Sequence, residues 1–229
     1  ASNVIATLLP GTTFFLNSHS FANGRRLIDG NCNVAIATDF NPGTCTIRSL
    51  PKIMLLSMQK CGLTLDEAFL GVTYNAAKSI MTTDTYPKYS SLCYNFEGAK
   101  IHLTGIAKGS GMIAPNMATM LAFISTDIKI SKPILQKILE DVNEETFNAI
   151  TVDGDTSTSD TVIISATGMA ENKIIKSKKD KHYEKFKTAL YTISKDLALQ
   201  IVRDGEGASK LISVRVAGTQ NKKILKKIA

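Results

Sequence analysis

The segment GIAKGSGMIAPNMATMLAFISTD, residues 105–127, decides the fold of this 229-residue chain more than any other stretch. Its three glycines permit tight turns or positive φ around Lys108, and Pro115 restricts the backbone that leads to Thr119. The order does not match a phosphate-binding loop, because Lys108 does not follow the glycines directly before Ser or Thr. The apolar run at 120–125 then predicts a strand. A glycine-rich turn that leads into a strand is therefore the central feature of the predicted fold.

Strand and helix patterns alternate outside this segment. Residues 4–9 and 34–38 are short apolar runs bounded by Gly, Pro or Asp, which predicts strands buried on both faces of a parallel sheet. Residues 64–80 begin with the capping-box pair Thr64 and Glu67 and predict one helix. Similar patterns predict the remaining elements, which are strands at 161–166 and 210–217 and helices at 132–147 and about 182–203. This order of elements predicts an α/β layer or barrel.

The composition predicts a folded protein without a membrane span. Hydrophobic residues make up 44% of the chain, and no uncharged apolar run reaches the roughly 18 to 20 residues that a spanning helix needs. The net charge is +7, but the lysine clusters at 176–185 and 222–227 lack a regular interleaving of aromatic stacking platforms. We therefore expect no nucleic-acid partner, no membrane association, and a location in the cytoplasm or, in a eukaryote, the mitochondrial matrix.

Two patterns could be mistaken for a disulfide or metal framework. The four cysteines have no CxxC spacing, which predicts reduced and mostly packed thiols. The segment DGDTSTSD, residues 153–160, alternates acidic and hydroxyl oxygens but lacks the Gly and bidentate Glu positions of an EF-hand. We interpret it as a turn that is stabilised by hydrogen bonds from side chains to the backbone.

Four motifs occur in order between residues 79 and 229: MTTDTYPK (81–88), GIAKGSGMIAPNMATMLAFISTD (105–127), FNAITVDGDTSTSDT (147–161) and QIVRDGEGASKLISVRVAG (200–218). Together they resemble the ornithine acetyltransferase family, also called glutamate N-acetyltransferases, of bifunctional arginine biosynthesis. The resemblance implies that the precursor breaks its own backbone between Ala118 and Thr119. Thr119 then becomes the N-terminal residue of a β chain, and its α-amine, with a pKa of roughly 8, supplies the base that a Thr hydroxyl needs.

The same resemblance implies acetyl transfer from N-acetylornithine to glutamate through an ester on Thr119, with no cofactor, and leaves acetyl-CoA open as another donor. Thr82, Lys108, Thr119 and Glu206 map onto substrate-binding positions, with Thr83 as the alternative to Thr82. Lys108 suits a substrate carboxylate, and Glu206 suits an α-amine, because charge-assisted hydrogen bonds orient small amino acids well. The implied active form is an oligomer of cleaved α and β chains.

The sequence does not show the oxyanion hole that this chemistry needs. The family takes it from a Thr-Gly pair upstream of the TTDT motif, and residues 1–80 contain no matching segment, since Gly11-Thr12-Thr13 stands in a different context. Loss of one donor from such a hole costs on the order of 100- to 1000-fold in rate. The resemblance therefore predicts the nucleophile and the substrate contacts of this chain, but it does not predict the rate of its turnover.

Residues 1–80 carry other motifs: ATLLPGTTFFL (6–16), RRLIDGNCNVAIATDFNPGTC (25–45) and SLPKIMLLSMQKCGLTLDEAFLGVTYNAAKSI (49–80). They resemble the C-terminal part of imidazolonepropionase, a metal-dependent amidohydrolase of histidine degradation. The resemblance implies that Asp39 is a zinc or iron ligand at the end of the last barrel strand, and that Asn41, Gly43 and Thr44 contact substrate. The chain has three histidines and none stands in a His-x-His pair, so we interpret Asp39 as a vestigial ligand.

The patterns together predict an α/β chain that is α+β in its larger part. A partial (β/α) amidohydrolase-barrel segment at 1–80 precedes a self-cleaving, ornithine-acetyltransferase-like core at 81–229. The favoured function is glutamate N-acetyltransferase with an N-terminal threonine nucleophile. The alternatives are metal-dependent imidazolonepropionase and a catalytically silent chimeric module. An incomplete barrel leaves strand edges and apolar surface uncovered, so we also expect oligomerisation or docking of residues 1–80.

Overall fold

The computed structural model of the chain describes residues 4–96, 98–113, 120–155, 160–218 and 225. The chain has mixed α/β structure and divides into two compact units, Ala1–Thr82 and Thr83–Ala229. The first unit contains β1 (Ile5–Leu8), α1 (Pro10–Phe15), α2 (Gly24–Asp29), β2 (Asn33–Ile36), α3 (Leu50–Cys61), α4 (Leu65–Val72) and α5 (Tyr74–Ser79). None of the described helices is both long and apolar enough to cross a bilayer.

The first unit is built on a parallel pair of strands. β1 and β2 run parallel with Ile5 opposite Asn33 and Leu8 opposite Ile36, which confirms the two strands predicted from their apolar runs. Helices pack against this pair around a small core, which consists of Leu8, Val34, Ile36, Ile53, Cys61, Leu63 and Ala68. Two parallel strands do not identify a barrel, so the amidohydrolase-barrel assignment of this unit stays a prediction.

The predicted helix at 64–80 is two helices in the structure. Its start is confirmed, because Thr64 and Glu67 form the reciprocal capping box in front of α4. The single helix is wrong, because Thr73 has φ −121° and ψ −91° and separates α4 from α5. Its hydroxyl donates to the Phe69 carbonyl oxygen at 2.7 Å, which is a side-chain bond that competes with continuation of the helix.

The second unit is a four-stranded sheet covered by helices. It contains β3 (Lys88–Phe96), β4 (Ala99–Lys108), β5 (Leu121–Thr126), α6 (Lys132–Asn143), a 3₁₀ turn (Phe147–Ala149), β6 (Thr161–Ala166) and α7 (Tyr183–Arg203). The sheet order is β3-β4-β5-β6, with antiparallel pairing except between β5 and β6, which run parallel. The predicted strands at 120–125 and 161–166 and the helix at 182–203 are confirmed. The helix predicted at 132–147 starts as expected, with Pro133 in its first turn, but ends at Asn143.

Helix α7 packs on one face of this sheet. The residues of β4 alternate between buried and exposed along most of the strand, and Ile101 and Leu103 are completely buried. Gly105 lets the helix approach closely, since a Cβ at this position would lie 2.8 Å from Leu197 Cδ1. Burial of each large aliphatic side chain contributes about 1.5–3 kcal/mol, so this helix–sheet contact adds substantially to the stability of the unit.

One predicted strand is absent. Residues 210–217 alternate apolar and polar side chains, but none of the described residues at 208–218 forms a strand. Ile212 and Val214 are 80% and 65% exposed. A strand forms only when another strand pairs with it, and the described part of the sheet ends at β3 and β6 without this segment. The alternation of apolar and polar residues therefore does not by itself predict a strand at 210–217.

The sheet brings four chain segments to one end. Lys88 at the start of β3 lies opposite Ala107, and Lys108 at the end of β4 lies opposite Leu121 at the start of β5. Leu121 in turn lies opposite Thr161, the first residue of β6. We call this edge, defined by Lys88, Lys108, Leu121 and Thr161, the loop end of the sheet. The glycine-rich turn predicted from the sequence lies here.

Candidate active site

A buried ion network lies at the loop end. The Lys88 ammonium is 2.6 Å from Asp84 Oδ1 and 2.5 Å from Asp204 Oδ2, and the three side chains are at most 2% exposed. The remaining acceptor capacity is used by the backbone and by a hydroxyl, because Asp84 accepts the Gly109 N–H at 2.7 Å and Asp204 accepts the N–H and hydroxyl of Thr85. A buried charge persists only when it is paired and hydrogen-bonded in this way.

The hydrogen bonds of this network decide the charge of Asp204. Burial by itself raises the pKa of Asp204, but the bonds from Lys88 and Thr85 outweigh it and hold that pKa below its ordinary value. Asp204 is therefore ionised at neutral pH. The network ties the segment before β3 to the end of α7, because Asp84 and Thr85 come from the former and Asp204 from the latter.

Lys108 ends β4, and the turn that follows it is shaped by Gly109. Lys108 is 4% exposed, and Gly109 has φ +144°, a backbone conformation that other residues rarely adopt. A Cβ on Gly109 would lie 3.5 Å from the Cα of Met120, so the turn passes close to the start of β5. The Ser110 carbonyl accepts the Glu206 N–H at 2.6 Å. The turn is thus fixed to both β5 and the segment after α7.

Glu206 lies beside this turn with its carboxylate available. A Cβ on Gly111 would be 2.7 Å from Glu206 Oε2, so the carboxylate lies directly against this glycine and would have to shift if another residue replaced it. Glu206 is exposed, and its carboxylate makes no hydrogen bond or ion pair to any residue that the structure describes. Such a group can accept a cationic ligand without first breaking a protein contact.

The structure brings some of the predicted site residues together. Lys108 directly precedes the turn to which Glu206 is bonded through Ser110, although the substrate roles of Lys108 and Glu206 stay predictions. Thr82 is the last residue of the first unit and is exposed, whereas Thr83 belongs to the second unit and its hydroxyl lies 2.5 Å from that of Ser110. Ala118 and Thr119 lie outside the described residues.

Sequence reasoning missed the residues that hold this site together. Asp84, Lys88 and Asp204 all lie inside motifs that the resemblance used, yet none was assigned a role. The usable signal was the pattern Asp-x-x-x-Lys directly before a strand, since a lysine at a strand start next to apolar residues needs a buried partner. Its second partner, 116 residues away, could not be inferred from one sequence.

The predicted contacts of the first unit form a local turn. Asp39 follows β2 with φ +48°, and its Oδ2 accepts the Thr12 hydroxyl at 2.7 Å. Asn41 Oδ1 accepts the N–H groups of Gly43 and Thr44 at 2.9 and 2.7 Å, and its amide donates to the Asp39 carbonyl. Among the described residues, no group of three His, Cys, Asp or Glu could hold a metal ion. The described donors around Asp39 therefore do not fit a zinc or iron site.

Comparison with known proteins finds ArgJ sequences that match most of the chain. The sequence model of the ArgJ family matches residues 52–229. The arginine biosynthesis bifunctional protein ArgJ of Rhizobium meliloti (strain 1021) is 49% identical over 159 residues, covering 68% of this chain and 38% of that protein. The protein of the same name from Agrobacterium fabrum (strain C58 / ATCC 33970) is 52% identical over 157 residues, with shares of 67% and 38%. The chain spans about two fifths of the length of these curated relatives.

A solved structure is also similar in part. The crystal structure of arginine biosynthesis bifunctional protein argJ from Bacillus halodurans is 49% identical, covers 40% of this chain and 43% of that chain, and superposes with a TM-score of 0.39. The ArgJ sequence match begins at residue 52 and thus includes part of the first unit. These similarities give no support to the imidazolonepropionase resemblance of residues 1–80, which stays a prediction.

Proposed function

The chain belongs to the ArgJ family, and from that premise we propose that its second unit carries the acyltransferase chemistry of arginine biosynthesis. The proposed reaction transfers acetyl from N-acetylornithine to glutamate through an ester on Thr119. The observation that carries the proposal is that Glu206 is bonded to the turn that directly follows Lys108, through its N–H to the Ser110 carbonyl at 2.6 Å. Acetyl-CoA as a donor and assembly of cleaved α and β chains are further parts of the same proposal.

The two charged side chains suit the backbone groups of an amino acid. The Lys108 ammonium would bind the α-carboxylate, and the Glu206 carboxylate would bind a cationic amine of the substrate. Lys108 is almost completely buried, which strengthens its attraction for an anion relative to that of an exposed lysine. An ammonium and a carboxylate that bind opposite groups of one substrate would fix the direction in which it lies.

Thr119 would act twice. Its hydroxyl first attacks the Ala118 carbonyl carbon, the amide C–N bond breaks, and the freed nitrogen takes the hydroxyl proton. Water then hydrolyses the resulting ester and leaves Thr119 with a free α-amine, which can serve as the base for its own hydroxyl. In transfer, that hydroxyl accepts acetyl from N-acetylornithine and passes it to the glutamate nitrogen, which releases ornithine and then N-acetylglutamate.

The oxyanion pair that the resemblance places upstream has no counterpart in residues 1–80. We therefore expect transfer by this chain to be slower than that of a relative with the pair, on the order of 100- to 1000-fold for each missing donor. Self-cleavage is the more sensitive test of the nucleophile, because one turnover per chain is enough to see it. A catalytically silent module is the interpretation that remains if cleavage fails, because the described donors around Asp39 do not fit the metal site of the hydrolase.

The experiment combines intact mass measurement with a transfer assay. The wild-type chain and Thr119→Ala are incubated, and their masses are followed for a break between Ala118 and Thr119. We expect two fragments from the wild type and an intact Thr119→Ala chain. An intact wild-type chain after long incubation would rule out a working Thr119 nucleophile in this protein.

Substrate binding is tested on cleaved protein with labelled glutamate and N-acetylornithine. Loss of one charge-assisted contact costs about 1.5–3 kcal/mol, so Lys108→Met and Glu206→Gln should each lower kcat/KM by roughly 10- to 100-fold. Lys100→Met, on an exposed position of β4, and Glu171→Gln, also exposed, are the matched controls and should leave it unchanged. Equal values for Lys108→Met and Lys100→Met would remove Lys108 from the site.

A further inference from the structure

Asp153 holds the backbone directly before residues 114–119. Its two oxygens accept the N–H groups of Met112 and Ile113, the latter at 2.9 Å, and Oδ1 also accepts the Asp155 N–H at 3.2 Å. Burial by itself raises the pKa of Asp153, but the backbone N–H bonds outweigh it and hold that pKa below its ordinary value. Both oxygens of this carboxylate are therefore engaged in ionised form.

Asp160 holds the backbone directly after the same residues. Its Oδ1 accepts the Met120 N–H at 2.6 Å, and the Met120 carbonyl accepts the Thr161 N–H at 3.0 Å. Met120 is 3% exposed and lies against Gly109. Met120, which follows residues 114–119, is thus held by the Asp160 side chain, by Thr161 at the start of β6 and by packing against Gly109.

The two carboxylates belong to one loop. Asp153 and Asp160 are the first and last residues of DGDTSTSD, which the sequence analysis interpreted as a turn with side-chain to backbone bonds. The contacts of Asp153 agree with that interpretation. The two aspartates also bind a different segment of the chain, because Asp153 accepts from Ile113 and Asp160 accepts from Met120, each 40 residues away. Ile113 is held further by its carbonyl, which accepts the Val152 N–H at 2.7 Å.

We propose that Asp153 and Asp160 are positioning residues for self-cleavage, which together fix the two ends of the segment that contains Ala118 and Thr119. This inference rests on the proposed function, because it assigns the loop a role in the cleavage reaction. Intramolecular attack depends on holding the reacting groups in a narrow range of geometries. Met120 directly follows Thr119 in the chain, so the bond from its N–H to Asp160 lies next to the nucleophile in sequence.

The number of oxygens that each carboxylate uses gives a specific test. Asp160 accepts the Met120 N–H with one oxygen, so the amide oxygen of Asp160→Asn can replace it, whereas Asp160→Ala cannot. Asp153 uses both oxygens, so Asp153→Asn must point an NH₂ group at one of the N–H donors. We expect cleavage to slow at least about tenfold in Asp160→Ala and Asp153→Asn, and to stay within about threefold of wild type in Asp160→Asn. Asp155→Ala, in the same loop and exposed, is the control that should cleave normally.

Cleavage rates are measured by intact mass, and urea unfolding is measured on each variant in a Thr119→Ala background. Wild-type rates in both Asp160→Ala and Asp153→Asn would overturn the proposal. So would a loss that Asp160→Asn does not recover while its urea midpoint is unchanged, because the acceptor oxygen would then be irrelevant. If Asp160→Ala fails to fold, Asp153→Asn and Asp160→Asn still give opposite predictions.

Amide hydrogen exchange separates this inference from the proposed function. In uncleaved Thr119→Ala protein, Asp160→Ala should lose protection of the Met120 amide and Asp153→Asn that of the Ile113 amide, each by about tenfold or more. If the wild-type chain stays intact, the proposed self-cleavage is disproved. The exchange data then decide whether Asp153 and Asp160 hold the backbone at Ile113 and Met120. Unchanged protection in both variants would overturn the inference whether or not the wild type cleaves.

Discussion

Lys88 and Asp204 are 116 residues apart in the sequence and form an ion pair of 2.5 Å with side chains that are almost completely buried. Asp84 completes the pairing on the other side of the ammonium at 2.6 Å. The network therefore fixes both the segment before β3 and the segment after α7 to the loop end of the sheet. Glu206 follows Asp204 by two residues, so its position depends on this buried pair.

Lys88→Met should be strongly destabilising. It leaves two buried carboxylates without their ammonium, and removal of one partner from a buried pair costs about 3–5 kcal/mol of the free energy of unfolding. Urea unfolding followed by circular dichroism measures this change, and Lys100→Met on the same sheet is the control. A loss below about 1 kcal/mol would mean that the network is far more accessible to water than its burial indicates.

Asp160 should make the stability of the second unit fall as the pH rises. Burial raises the pKa of Asp160 from 3.8 to about 6 in the folded protein, although the bond from Met120 opposes it. Between these values the folded protein holds a proton that the unfolded chain releases, so the contribution is present at low pH and lost as the pH passes 6.

This pH dependence is measured as a difference between two proteins. The free energy of unfolding of the wild type minus that of Asp160→Asn should decrease from about pH 4 to about pH 7, because the asparagine does not titrate. Groups with a lowered pKa, such as Asp153 and Asp204, act in the opposite direction but cancel in the difference. Parallel pH profiles for the two proteins would contradict the assignment of the raised pKa to Asp160.

Gly105→Ala should destabilise the contact between β4 and α7. The added Cβ would lie 2.8 Å from Leu197 Cδ1 and 3.2 Å from Ile124 Cγ1, in a region where neither neighbour is exposed. Overpacking of this kind costs about 1–3 kcal/mol. Thermal and urea unfolding should both report the loss, and a variant as stable as the wild type would show that the helix can move away from the sheet at little cost.

The four thiols should react in an order that follows their burial. Cys93 is exposed and Cys32 is half-buried, whereas Cys45 and Cys61 are buried, and burial raises the pKa of the Cys61 thiol. Only the thiolate reacts, so alkylation at neutral pH should modify Cys93 first and the two buried thiols only as the protein unfolds. Peptide-level mass measurement reads each site, and early labelling of Cys61 would contradict the packing of the first unit.

The predictability of the fold depended on whether an element is decided locally. The strand at 161–166 and the capping box at Thr64 follow from short-range patterns, and the structure contains both. Residues 210–217 have an equally clear pattern, but a strand needs a neighbour that no local pattern supplies. The predicted helix is interrupted at Thr73, whose hydroxyl donates a hydrogen bond to the Phe69 carbonyl oxygen. Such side-chain to backbone bonds compete with the helix, and the pattern of apolar residues does not reveal them.

The same distinction applies to the candidate site. Lys108 and Glu206 were found through motifs, yet the residues that hold them could be found only in three dimensions. A lysine is usually exposed, so sequence reasoning assigns Lys88 to the surface unless its distant partner Asp204 is known in addition to the nearby Asp84. The roles of Asp153 and Asp160 were missed for a related reason, because a turn motif does not reveal which other segment its carboxylates bind.

The direction of one strand makes the loop DGDTSTSD available to residues 113 and 120. β5 and β6 run parallel, so the loops that precede them must emerge at the same edge of the sheet. Had β6 run the other way, its preceding loop would begin about 17 Å away, at the far end of the six-residue strand β5. Chain topology therefore sets which two loops meet, and the aspartates only use a proximity that the crossover through α6 creates. Changes to exposed residues of that crossover should be tolerated as long as the two strands stay parallel, whereas Leu135, Ile138, Leu139 and Val142 of α6 are buried in the core.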